Sequence, residues 1–142
     1  MFKKLFIAGV LLIGTTGVYA ADQAHQFDFN SAVQRAVADG TLDGSVKFYL
    51  AGNKSGGKLI QSDVVTNKKT NGFAKSAEDS CDWVLRSALI QLQNTAKQRG
   101  GNAVTNIVSY YKSKEMRSRT NYECHKGMAV TGLALKGNIV KF

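Results

Sequence analysis

An α+β domain is what this sequence predicts: a small antiparallel or mixed sheet covered by one long helix, with a short helix near the N-terminus. Three observations lead there. Residues 80–99 repeat apolar side chains at helical spacing, residues 45–50, 102–111 and 128–136 alternate or run in β-branched and aromatic types, and the order is helix, strand, strand, long helix, strand, strand. A layer of antiparallel strands with the long helix over its apolar face fits that order.

The short helix is expected over residues 29–40. Asn30 or Asp28 caps its first N–H groups, Val33, Ala36 and Val37 share a face, and Gly40 stops it. In residues 45–50, Val46, Phe48 and Leu50 alternate with Lys47 and Tyr49, the period of a half-buried strand. Residues 52–57 read as a glycine-rich hairpin turn, 59–65 as a returning strand, and 67–72 as a polar loop. In the long helix, Val84, Leu85, Ala88, Leu89, Leu92 and Ala96 form one stripe. Ser76, Glu78, Asp79 and Asp82 suit its N-terminus, Lys97 and Arg99 its C-terminal carbonyls, and Gly100-Gly101 its exit.

Composition narrows the class. The chain has 142 residues, is 44% apolar and 20% charged, and holds no proline where average usage would supply about 5%. That length suits one domain with a real core, and the balance excludes disordered, collagenous and coiled-coil classes. Lys3 and Lys4, the apolar run Leu5 to Ile13 and the Val18-Tyr19-Ala20 site follow the order of a secretory signal. Residues 1–20 are therefore expected to be a cleaved signal peptide and residues 21–142 a single periplasmic or secreted domain with no integral membrane span. No Cys follows the cleavage site to take a lipid anchor. Without residues 1–20 the formal charge falls from +9 to +7, and the whole excess lies from Lys97 onward.

In an exported chain, Cys81 and Cys124 most simply form a disulfide. His125 adjoins Cys124, but neighbours in an extended segment face opposite ways, so His125 reads as solvated and no metal site is expected. Gly52-Asn53-Lys54-Ser55-Gly56-Gly57-Lys58 approaches a phosphate-binding loop. Leu59 replaces the magnesium-holding hydroxyl and a strand follows where a helix is required, so neither ATP nor another cofactor is expected.

The connection 112–119 gathers Lys112, Lys114, Arg117 and Arg119 near Tyr110, Tyr111 and Tyr122. Cations interleaved with aromatics suit a polyanion such as DNA or lipopolysaccharide; the alternative is a solvated hairpin loop that keeps the domain soluble. No G-x-S-x-G, H-E-x-x-H or unpaired nucleophilic Cys is present, and Asp63, Glu115 and Glu123 fall in different elements.

The run from Cys81-Asp82-Trp83-Val84-Leu85 through Ala96-Lys97-Gln98-Arg99-Gly100-Gly101-Asn102-Ala103-Val104 to Ser109-Tyr110-Tyr111, with Tyr122-Glu123-Cys124-His125-Lys126-Gly127, resembles a group of small exported bacterial proteins. These often carry the label "excinuclease ATPase subunit", although the near-P-loop here lacks what ATP chemistry requires. More remotely, the turn from helix into strand at Ala96–Val104 is similar to that of YbjQ-like and RcsF-like domains. Those resemblances imply a compact helix-on-sheet domain, with envelope sensing or oligomeric roles in some members. The function expected is a non-enzymatic binding or interaction module of the cell envelope whose partner is an envelope protein or a polyanion. An enzyme of unrecognised class would need a concave pocket with converging polar groups near the sheet.

Overall fold

The structure, a computed structural model, describes residues 22–142; the expected signal peptide lies outside them. Among the described residues the fold is α+β: a curled, mixed sheet of six strands with two α-helices. No helix among the described residues is long and apolar enough to cross a membrane.

The chain enters through β1 (Gln23–Asp28) and passes directly into α1 (Phe29–Ala38). Asp28 makes that switch possible. Its carboxylate accepts from the Ser31 amide at 2.8 Å and hydroxyl at 2.6 Å, so the first turn has a capped N–H and the carboxyl sits below its ordinary range. Phe29, Ala32 and Ala36 face inward, and the helix ends where Gly40 takes a left-handed φ of 84°.

β2 (Lys47–Leu50) pairs in parallel with β4 (Ala103–Ser109), whereas β3 (Lys58–Asn71) pairs antiparallel with β6 (Val130–Lys141). Residues 52–57 therefore do not close a hairpin: they carry the chain from one part of the sheet to another. The parallel pair is possible because β3 and α2 (Ala77–Gln98) lie between its strands and supply the long crossover such pairing needs. Residues 67–71, expected in a loop, continue β3, since Asn67 to Asn71 stay in register with Ala134 to Val130.

α2 begins at Ser76, whose hydroxyl accepts from the Asp79 amide at 3.0 Å, and buries Val84, Leu85, Ala88, Leu89, Leu92 and Ala96. Covering the sheet is shared between the helices. The core joins this stripe and α1's Phe29 to Phe48 and Leu50 of β2, Val104 and Ile107 of β4, and Leu133, Leu135 and Ile139 of β6.

β6 organises the sheet. One of its edges is taken by β3, and the other is divided between β4 and β5 (Asn121–Lys126), to which β1 adds on the far side. The 110–119 connection thus leaves β4 and returns to a strand that is not its hairpin partner. The Tyr110 amide still donates to the Ala134 carbonyl at 2.8 Å in continuation of the β4–β6 ladder and Met116 bridges back to Ser109, while the Tyr111 ring lies over β5 on the face of the sheet opposite α2.

Candidate functional site

The divided edge of β6 creates the site. In β5 alternate side chains go to opposite faces: Tyr122 and Cys124 are buried, while Glu123 and His125 are only half-buried. Cys124 is bonded to Cys81 in the first turns of α2, with S–S 2.02 Å and Cα–Cα 5.9 Å, which fixes the expected cysteine pair. Both sulfurs are thereby removed from metal binding. Among the described residues no group of three His, Cys, Asp or Glu side chains is placed to hold a metal ion.

On the outer face a hollow of about 220 Å³ is lined by Asp22, Tyr111, Lys112, Lys114, Glu123 and His125. His125 Nε2 lies 2.9 Å from Glu123 Oε1, and the imidazole stacks on Tyr111 with centroids 4.1 Å apart and planes 15° from parallel. His125 is therefore not solvated as the sequence suggests. It is clamped between a carboxylate and a phenol ring because the chain crossing from β4 returns over β5. The Glu123 amide donates to Ser109 Oγ at 2.9 Å, which ties the rim to the end of β4.

A glycine admits the stack. Gly132 stands opposite His125 in the β5–β6 register, and a Cβ there would come within 3.2 Å of Tyr111 Cε1. Immediately after Tyr111, Lys112 (φ 53°, ψ 38°) and Ser113 (φ 62°) are consecutive non-glycine residues in the left-handed region. Such conformations cost about 1 kcal/mol or more each. They direct Lys112 Nζ to 5.6 Å from the Tyr111 ring centroid and place Lys114 at the same hollow.

The expected cationic cluster does not converge in full. Arg117 pairs with Glu115 at 3.5 Å and reaches Asn106 at 3.4 Å. Arg119 lies along Gly52, and its carbonyl accepts from Asn53 Nδ2 at 2.8 Å. Tyr110 receives Lys136 Nζ over its ring at 4.2 Å, and Lys136 also meets Glu115 at 3.6 Å. Tyr122 is a correction. At 1% exposure it packs against Phe27 and Phe29 on the inner face, where burial raises its hydroxyl pKa, so it takes no part in the hollow on the outer face. Lys112, Lys114 and Tyr111 remain at the hollow, joined by Asp22, Glu123 and His125, which sequence reasoning missed. The signal that could have found the last two is the alternation Tyr122, Cys124 against Glu123, His125, legible only if that stretch is taken as a strand.

The glycine-rich stretch ends in a strand. Gly52, Gly56 and Gly57 take positive φ values and the chain enters β3 at Lys58, with no helix N-terminus to receive a phosphate. A larger hollow of about 410 Å³ lies between α1 and the free edge of β2, but its lining is mainly apolar and Lys47 is its one charged residue. No protein-family model matches the chain, and no curated protein matches it.

Proposed function

We propose that this chain is a non-enzymatic binding module of the bacterial cell envelope, acting in the periplasm or as a secreted protein, and that it takes a polyanion at the Tyr111–His125 hollow. One observation carries the reading. Lys112 and Lys114 are held at an open hollow by a costly backbone conformation and are in no ion pair among the described residues, while the neighbouring Arg117 and Lys136 are both engaged by Glu115. Asp22 and Glu123 also line the hollow, Glu123 being spent on His125, so it is the two unpaired ammonium groups beside a stacked aromatic, and not a net positive charge, that suit a phosphate-bearing polymer. The Cys81–Cys124 bond supports export, since such bonds persist in oxidising compartments. So does the resemblance to small exported bacterial proteins. Mass spectrometry of the protein from its native host is expected to find residues 1–20 removed.

The test is titration of the protein with lipopolysaccharide vesicles and with a short DNA duplex at rising salt. Affinity is expected to fall as salt rises, and Lys112→Glu with Lys114→Glu to lower it at least about tenfold. Salt-independent or unaltered binding to both probes overturns the reading. An envelope protein would then be the partner to seek, by crosslinking in the intact envelope.

The 2.9 Å Glu123–His125 contact favours a second reading, an enzyme in which Glu123 orients His125 for proton transfer. A panel of chromogenic esters and phosphoesters tests it: turnover abolished by His125→Gln supports it, and turnover of none removes it.

A further inference from the structure

We propose that the outward face of α2 carries a second binding site, for an uncharged glycan, centred on Trp83. This tryptophan is the chain's only one and is 64% exposed, though it stands two residues from Cys81 on the most firmly anchored helix of the fold. Leaving so large an apolar side chain in water forgoes about 2 kcal/mol of burial, and an indole, apolar in its body with one polar N–H, suits a half-wet contact.

Its surroundings identify the ligand class. Trp83 forms a wall common to two hollows, one of about 370 Å³ and one of about 390 Å³. In the first, Arg86 donates to Asp39 Oδ2 at 2.5 Å, Asp82 Oδ2 at 2.9 Å and Thr41 Oγ1 at 2.8 Å, and Arg35 donates to Asp82 Oδ1 at 3.0 Å. Asp39 and Asp82 line this hollow against Arg86 alone, Arg35 reaching Asp82 from outside the lining, which leaves one carboxylate in excess. The second hollow sets Lys75 and Asp79 among the hydroxyl-bearing Thr70 and Ser76, without excess charge.

Neither hollow therefore draws a polyanion. A protein partner would have to desolvate this charged network, and interface centres are depleted in charged residues for that reason. A sugar ring answers both features. Its C–H face lies on the indole, and its hydroxyls, each donor and acceptor, bond to carboxylate lone pairs and fixed N–H groups without removing them wholly from water. Hollows on both sides of the indole suit consecutive rings of one chain. The network is pre-organised, since Arg86 is only 16% exposed and locked by three partners, so little side-chain freedom is lost on binding.

Because Trp83 is the sole tryptophan, its fluorescence reports the site alone. The disulfide-bonded protein is titrated with chitohexaose, cellohexaose and maltohexaose. A saturable blue shift with at least one is expected, together with a loss of affinity of at least about tenfold in Trp83→Ala by calorimetry and partial retention in Trp83→Phe. Asp39→Asn, confirmed as folded by circular dichroism, is expected to weaken binding several-fold. The proposal is overturned if no hexaose shifts the emission, or if Trp83→Ala binds as tightly as the parent. These outcomes are independent of the Lys112 and Lys114 variants.

Discussion

Asp39 and Asp43 make the loop after α1 sensitive to acid. Asp39 accepts from the hydroxyl and amide of Thr41 and then from Arg86, which together hold its carboxyl at about 2 against an ordinary 3.8. Lys97 and then Ser45 lower Asp43 further. Both groups bind protons less readily folded than unfolded, so their stabilisation is complete above the ordinary value near 3.8 and is lost as pH falls through the folded values. Thermal melts are expected to be level from neutral pH to about pH 5 and to fall steadily towards about pH 2, with a shallower fall in Asp39→Asn/Asp43→Asn. An equally steep fall in that variant would place the acid sensitivity elsewhere. Two adjacent glycines make a second comparison. A Cβ on Gly101 would lie 2.6 Å from Ile139 Cγ2 and 3.0 Å from the Val140 carbonyl oxygen, whereas one on Gly100 (φ 81°) meets nothing within 4 Å. Gly101→Ala is expected to cost about 1–3 kcal/mol through overpacking, and Gly100→Ala about 1 kcal/mol through backbone conformation alone. Urea denaturation with an unchanged slope checks both.

Between elements, the Cys81–Cys124 bond joins the start of α2 to the strand that carries Glu123 and His125. Closing a separation of 43 residues restricts the unfolded chain by about 4 kcal/mol. Cys81→Ser/Cys124→Ser is expected to lose about that much, measured by denaturant titration, a large share of a small domain's roughly 5–15 kcal/mol. The element it anchors was the most legible in the sequence. α2's stripe repeats locally, and its cap and exit residues sit where helix ends require them. β1 and β5 were not legible. Gln23, Gln26, Glu123 and Lys126 give them a polar character, and their inward positions, Phe27, Tyr122 and Cys124, are too few to show a period. The tail of β3 was hidden for a related reason. Asn67, Lys69 and Asn71 are exposed, so nothing local distinguishes them from a loop, and only the register with β6 makes them a strand. The hollow was half legible: its lysines stand in one cationic run, but Glu123 and His125 join them through pairing between distant segments.

For the whole molecule, the exposed margin of the sheet and the net charge act together. β3 is an edge strand of 14 residues, paired on one side only, and such an edge invites a second copy to add its own strand. Two register shifts near Gln61, with Asp63 at a φ of 55°, bend its first half away from a flat template. The second half, from Val64 to Asn71, stays in regular register and relies on its side chains: after exposed Val65 the outer positions are Asn67, Lys69 and Asn71, while the β-branched Thr66 and Thr70 turn the other way. Long-range repulsion adds to this, because residues 21–142 carry a formal +7, all of it from Lys97 onward, and copies approach one another with like charge. Removing both protections should therefore matter more than removing either. Asn67→Val/Lys69→Val is expected to leave the thermal midpoint of the dilute protein unchanged or slightly raised, since these sites touch no core. It should nevertheless self-associate as salt rises from about 0.01 M to 1 M and the screening length falls from about 30 Å to 3 Å. Sedimentation velocity over that range separates the cases: association only in the variant and only at high salt is the expected pattern. A variant that stays monomeric throughout would show that the bulges alone protect the edge.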